Sequence, residues 1–295
     1  MNKFLVTGAA GLIGRYITKE LVDQNYDVYS CYNKLKPEFG NLVHLDLTEL
    51  DKNVETIHNI NPDIIIHLAA ITDVNMCETN KELCSLINTQ STKILSKEAA
   101  KLNAFFVYIS TDYVFDGKNE FYKENDFTCP INYYGKTKLD SEKVLNNLAS
   151  PYVIIRTSTP FGIHPKKKSF PLWVKENLEN KKEISAIIDQ YTSPTYVQNL
   201  TKMIIEISLK QITGIFHLAG KTRISRYEFA LKIAEKFNLD KSLIKSIKNE
   251  EMSWAAKRPQ DSSLNISKAE EILENKPWDI EKSLKLLKKE LNNQA

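Results

Sequence analysis

Seven short apolar runs rich in β-branched and aromatic residues recur along the chain: KFLVTGA, DVYSCYN, LVHLDL, DIIIHLA, AFFVYIS, YVIIRTS and GIFHLAG. A strand that is apolar at successive positions has both faces buried, the condition of a strand in a parallel sheet covered by helices on each side. The segments LIGRYITKELVDQ, NKELCSLINTQSTKILSKEAAKL and YGKTKLDSEKVLNNL carry apolar residues at three- and four-residue spacing and supply the crossover helices. The pattern therefore predicts a doubly wound α/β domain with a parallel sheet. From about Arg156 the alternation loosens, with Pro160, Pro165 and Pro171 in a loop and helices expected near 170–180 and 196–209. Beyond GIFHLAG the remainder, from SRYEFALKIAEKFNL onward, reads as mainly helical. The expected division is a nucleotide-binding domain over 1–158, completed by 190–220, and a smaller, mainly helical substrate lobe over 159–295 interleaved with the sheet.

Forty Lys and Arg against 37 Asp and Glu leave a formal charge of +3, too balanced to argue for nucleic acid binding. Cys31, Cys77, Cys84 and Cys129 show no CxxC spacing and read as reduced thiols of a cytoplasmic protein. Five scattered histidines specify no metal site. The opening MNKFLVTGAAG enters a strand at once, and no apolar stretch approaches the ~20 residues of a membrane span, so neither a signal peptide nor membrane insertion is expected.

Chemistry concentrates in three places. The first strand runs into TGAAGLIGR, where Gly8, Gly11 and Gly14 separate it from the first helix. A glycine turn ahead of a helix N-terminus presents backbone N–H groups to a pyrophosphate, so a dinucleotide cofactor is expected, although the spacing is GxxGxxG and not GxGxxG. No acid occurs between Ser30 and Lys36, where an NAD-selective fold places one to bind the ribose hydroxyls, whereas Arg15, Lys34 and Lys36 offer positive charge to a 2′-phosphate. NADP(H) is favoured, with NAD(H) the alternative. In NYYGKTKLDSEK, Tyr134 and Lys138 share a helix face while Tyr133 pairs with Thr137. An adjacent ammonium favours phenolate and pulls a tyrosine down from its ordinary ~10, making Tyr134 a candidate proton donor. By spacing alone the pair also fits an ordinary surface helix. YISTDYVFDG ends the fifth run, so Ser110 and Thr111 arrive at the strand end that borders the ligand crevice in such sheets.

TGAAGLIG, HLAA, ISTDYVFDG and YYGKTK together resemble the extended short-chain dehydrogenase/reductase family, and DQYTSPTYVQNL, GIFHLAG and RPQDSSLN make the chain similar, within it, to the dTDP-4-dehydrorhamnose reductases. The resemblance implies a Rossmann sheet and NAD(P)H-dependent reduction of the 4-keto group of a nucleotide-linked deoxysugar, dTDP-4-dehydrorhamnose to dTDP-rhamnose. It implies that Tyr134 donates the proton, that Lys138 lowers its pKa and holds the nicotinamide ribose, and that Thr111 hydrogen-bonds the substrate carbonyl. To the cofactor residues already read from the glycine turn and its neighbouring charges, Gly8, Gly11, Leu12, Ile13, Gly14, Arg15 and Lys34, it adds Leu68, Ala69 and Ala70, with Asp46 and Leu47 near adenine. Against the substrate it places Thr72, Val74, Thr159 and Arg258, the last as a partner for the diphosphate. A homodimer is an allowed assembly. Two positions depart from the family pattern: Thr159 and Arg226 stand where tryptophan is usual. Tyr113 replaces the glutamate that a sugar-nucleotide dehydratase needs after Thr111-Asp112, which argues against dehydration; an epimerase on the same fold remains open. YISTDYVFDG and YYGKTKLD are also similar to the regulatory β subunit of methionine adenosyltransferase, which implies a non-catalytic nucleotide-binding alternative.

Overall fold

In the computed structural model, which describes residues 2–148 and 150–293, all seven apolar runs enter one parallel sheet. The first six are β1 (Lys3–Thr7), β2 (Asp27–Tyr32), β3 (Asn41–His44), β4 (Ile64–His67), β5 (Phe105–Thr111) and β6 (Tyr152–Thr157). Four short strands, β7 (Pro160–Phe161), β8 (Ile184–Ile187), β9 (Tyr191–Thr192) and β10 (Thr195–Tyr196), precede the seventh, β11 (Gly214–His217). The spatial order β11-β6-β5-β4-β1-β2-β3 reverses direction between β4 and β1, and a doubly wound sheet opens its ligand crevice at such a switch point, beyond the C-terminal strand ends.

The helices are α1 (Leu12–Asp23), α2 (Val54–Ile60), α3 (Val74–Thr79), α4 (Lys81–Ser85), α5 (Ser91–Lys101), α6 (Tyr133–Leu145), α7 (Phe170–Glu179), α8 (Val197–Lys210), α9 (Arg226–Phe237), α10 (Ser267–Ile272) and α11 (Ile280–Asn292). Alternate residues of each strand feed opposite layers, as the period of two requires. Phe4 and Val6 pack with Ile17, Leu21, Leu200 and Met203 of α1 and α8, whereas Leu5 packs with Ile57, Leu95 and Leu145 on the other face. Full burial of each such side chain contributes ~1.5–3 kcal/mol, which explains the apolar majority of these runs. A separate cluster joins Phe161, Val174, Phe229, Ile233 and Leu284 beside the parallel pair of β8 and β13 (Ile244–Ile247), while β12 (Ile224–Ser225) pairs antiparallel with β9. The last helix is fastened to the first: Glu290 of α11 accepts hydrogen bonds from Tyr16 and Tyr196, each 2.6 Å, and Tyr16 Oη accepts from the Ile163 amide at 3.2 Å.

Three expectations are corrected. Cys77 and Cys84 are paired as a disulfide between α3 and α4, with Cα atoms 5.3 Å apart, so only Cys31 and Cys129 are free thiols. The fold juxtaposes these two short helices, which a spacing outside the CxxC pattern does not announce. Pro171 lies in the first turn of α7 and not in the preceding loop; its missing N–H has no helical acceptor there. The single helix read across 80–102 is α4, a π-helical turn at Leu86–Gln90 and α5. That turn aims Asn88 at two neighbours: its side chain accepts from the Ile71 amide at 2.8 Å and donates to the Ile71 carbonyl at 3.1 Å and to Thr137 Oγ1 at 3.0 Å. Among the described residues no helix is long and apolar enough to cross a membrane.

Candidate active site

A cleft of ≈ 800 Å³ is lined by the exits of β1, β4 and β5 together with the start of α6. At its nucleotide end the chain leaves β1 through Gly8, whose φ of +67° suits glycine and where a β-carbon would stand 2.8 Å from the Ala69 amide. A β-carbon on Gly14 would meet the Gly8 carbonyl oxygen at 2.2 Å. Backbone thus lies directly on backbone, and Gly11, the N-cap of α1, provides no side-chain cap for the helix amides. Gly11, Leu12, Ile13 and Gly14 all line the cleft, so uncapped donors and the positive helix end face a space shaped by missing β-carbons. These residues fit a dinucleotide pyrophosphate. Thr7 Oγ1 braces the opposite wall through His67 Nδ1 at 2.7 Å and the Leu68 and Ala69 amides at 3.2 Å each. Burial, and then the charge of Lys138, push His67 down to about 3, so this ring is neutral. Loop residue His164 reaches the Ala10 carbonyl through Nε2 at 2.9 Å and closes the glycine turn from the third side.

Leu68, Ala69, Ala70, Thr72, Val74, Asp46 and Leu47 also line the cleft. Asp46 accepts from the Thr48 amide at 2.9 Å and the Thr48 hydroxyl at 2.8 Å, which hold its carboxyl below the usual range. Arg15 and Lys34 are absent from the lining. The Arg15 guanidinium is engaged bidentately by Glu38, at 3.0 and 2.9 Å, an acid just beyond the Ser30–Lys36 interval. Arg258 likewise stays outside the lining, donating to Asn75 Oδ1 at 3.0 Å and the Ala256 carbonyl at 2.6 Å with its guanidinium 4.5 Å from the Trp254 ring centre.

At the other end α6 begins under an Asn132 cap, whose side chain accepts from the Gly135 amide at 2.9 Å. The helix delivers Tyr134 and Lys138 to the cleft, where Thr111 arrives from β5. Tyr134 is half-buried beside Thr111 in the cleft. Its pKa is raised, because burial outweighs the opposing influence of the Thr111 hydroxyl, opposite to the lowering expected from the lysine. Lys138 explains the difference: 3% exposed, with Nζ 4.2 Å from the Tyr108 ring centre, it is lowered by burial to about 7 and carries only part of a charge at neutral pH. Tyr134 therefore holds its proton, as a donor must. Thr111 Oγ1 donates to Asp112 Oδ1 at 3.0 Å and accepts from the Tyr113 amide at 3.2 Å. Thr157 Oγ1 is buried, unpartnered among the described residues and also in the lining.

Several lining or bracing residues escape sequence reasoning. Buried Asp112 accepts from Ser158 at 2.8 Å and Ser262 at 2.6 Å in addition to Thr111, knotting the ends of β5 and β6 to the RPQDSSLN segment. Tyr113 packs edge-on to Tyr134 with ring centres 6.2 Å apart. What the sequence does not show is that Thr159, expected at the substrate, and Arg226, noted only as a departure from the family pattern, meet in the cleft wall. The TD dipeptide after a strand was the available signal for Asp112; nothing local marks Asn88, Ser158 or Ser262.

Solved structures share this architecture. A hypothetical dTDP-4-dehydrorhamnose reductase from Sulfolobus tokodaii is 39% identical, with 94% of this chain and 97% of that one covered at a TM-score of 0.86. The dTDP-4-dehydrorhamnose reductase of Bacillus anthracis, solved in complex with NADP, is 31% identical with 98% and 99% covered at a TM-score of 0.89. Methionine adenosyltransferase 2 subunit beta of Pongo abelii is 34% identical over 284 residues, 92% of this chain and 82% of that protein. The RmlD substrate binding domain model matches residues 1–293, across the glycine turn, the Tyr134 helix and the C-terminal segments alike, and the chain belongs to that family.

Proposed function

We propose that the protein is an NADPH-dependent reductase of a nucleotide-linked 4-keto-6-deoxysugar, converting dTDP-4-dehydrorhamnose to dTDP-rhamnose. The observation that carries this reading is the convergence of Thr111, Tyr134 and Lys138 in one cleft with the uncapped glycine turn. Bound NADPH would supply a hydride to the carbonyl carbon. As the C–O double bond becomes single, the oxygen would take the proton of the Tyr134 hydroxyl, and Thr111 would orient that oxygen by turning its own hydroxyl proton to it from Asp112. Lys138 would meet the nicotinamide ribose and, in its protonated form, stabilise the tyrosinate left behind. Gly8, Gly11, Leu12, Ile13 and Gly14 would hold the pyrophosphate, with Leu68, Ala69 and Ala70 along the cofactor and Asp46 and Leu47 at the adenine. Thr72, Val74 and Thr159 would face the sugar, and Arg258 would reach the diphosphate by exchanging Asn75 for it.

The preference for NADPH over NADH is supported by the interval 30–36, which has no acid, and by the similarity to a reductase solved with NADP. Titration of both cofactors followed by NADPH oxidation with dTDP-4-dehydrorhamnose tests the proposal: turnover with NADPH is expected. The 34% identity to a methionine adenosyltransferase subunit supports a second reading, a nucleotide-binding regulatory subunit. Cofactor binding without turnover of any nucleotide-linked keto sugar, together with retention by an immobilised methionine adenosyltransferase, would favour it.

A further inference from the structure

Arg226 carries a guanidinium that the protein leaves largely unused. It opens α9, is half-buried and lines the cleft, yet among the described residues it forms no ion pair. Its Nη2 donates a 3.4 Å hydrogen bond to Thr159 Oγ1, its charge acts on the Tyr113 phenol, and the Phe170 ring centre lies 5.4 Å from it. Asp112 is close enough to feel the charge, but its oxygens are committed to Thr111, Ser158 and Ser262. A guanidinium has five N–H donors in a fixed fork, so several remain free to meet a molecule in the cleft. Thr159 adds an independent sign of a built wall. Its φ of +41° is rare for a β-branched residue and costs ~1–3 kcal/mol unless surroundings enforce it; here the Thr195 amide holds the Thr159 carbonyl at 3.2 Å and the side chain faces Arg226.

The wall stands next to the chemistry. Arg226, Tyr113 and Tyr134 line the same cleft, Arg226 is near enough for its charge to act on the Tyr113 phenol, and Tyr113 packs edge-on to Tyr134, so the guanidinium stands close to the proton donor. A sugar whose carbonyl oxygen meets Tyr134 brings the substituents of the flanking carbons towards Arg226. We infer that Arg226, supported by Thr159 and Tyr113, determines specificity by binding an oxygen-bearing substituent on a carbon flanking the reduced carbonyl. A hydroxyl or carboxylate there would satisfy the free donors, whereas hydrogen or methyl alone would leave them desolvated and unpaired. The inference rests on the reductase reading.

The test compares wild type, Arg226→Met and Arg226→Lys on nucleotide-linked 4-keto sugars that differ at one flank at a time: with and without the 3-hydroxyl, and with a methyl, hydroxymethyl or carboxylate on C5. The wild type is expected to favour oxygen at one of these flanks by about tenfold or more in kcat/KM, mainly through KM, the discrimination expected of a charged hydrogen bond. Arg226→Met should bring that ratio to within about threefold and Arg226→Lys should restore part of it. The position of the preferred oxygen separates a 3-hydroxyl reader from a reader of the C5 substituent. Identical rankings in all three proteins would overturn the inference. Equilibrium binding of the same sugars to the NADPH complex of Tyr134→Phe gives a readout without turnover. Absence of reduction by wild type with preserved binding discrimination would reject the reductase reading and keep the Arg226 assignment, and absence of discrimination would reject the assignment alone.

Discussion

Two side chains one helical turn apart divide the work between holding and releasing a proton. Burial keeps the Tyr134 phenol protonated, and Tyr134→Phe removes only that proton source. Turnover is expected to fall by about 10²- to 10⁴-fold with cofactor affinity nearly retained, while Tyr133→Phe stays close to wild type. Equal small losses would dismiss Tyr134 as donor. Lys138 makes a stability prediction with a definite sign. Its folded pKa of about 7 lies below the ordinary 10.5, so between those values the unfolded chain binds the proton that the folded chain lacks. Its contribution to stability therefore rises as pH climbs from about 7 towards 10.5. In urea melts without cofactor, Lys138→Met should exceed wild type most at pH 6 and lose that advantage steadily above pH 7. A difference that is flat with pH would refute the burial argument. Glu38→Gln should release the Arg15 guanidinium and increase the ratio of NADPH to NADH affinity severalfold; an unchanged ratio would detach Arg15 from cofactor selection.

Helix α6 is an instrument only because something fixes its roll. One turn beyond Lys138, Glu142 accepts from Arg156 Nε at 3.1 Å and Nη2 at 2.7 Å and from Ser110 at 2.5 Å, tying the helix to β6 and β5. Both members of the ion pair are 3% exposed. Breaking such a buried pair leaves one charge without its partner, so Glu142→Ala should cost about 3–5 kcal/mol in denaturant unfolding, against much less for the exposed Lys136–Asp140 pair of the same helix. A loss below about 1 kcal/mol would mean that the pair does not hold α6. The central strands were legible in the sequence because burial on both faces leaves mostly apolar runs, and α6 because its apolar residues recur at helical spacing; β3 reads as apolar although its side chains are largely exposed. Glu142 was not legible as a brace, since a carboxylate in an amphipathic helix looks like any surface acid until Arg156 is placed beside it. The π turn was hidden for the same reason: what stabilises it is Asn88 bonding to residues outside its own helix.

At the scale of the molecule, the cleft is assembled from distant parts of the chain. The glycine turn, Thr111 and the Tyr134–Lys138 pair could be read as a set, whereas the Asp112–Ser262 bond spans 150 residues and leaves no local trace. Arg15 and Lys34 were read from charge alone, and charge does not reveal that Glu38 occupies the guanidinium. Removing the distant brace by Ser262→Ala should loosen the end of β5 and lower kcat more than cofactor affinity; equal retention of both would limit Ser262 to packing.

The two phenols that share Glu290 carry a consequence for the order of assembly. Through Tyr16 and Ile163 that carboxylate steadies the loop bearing His164, which closes over the glycine turn. The anion cradle is therefore complete only once α11, whose Glu290 lies 274 residues from Tyr16, has docked. The sheet can bury its core before that event, so ligand capture would report the docking of α11 and not the formation of the sheet.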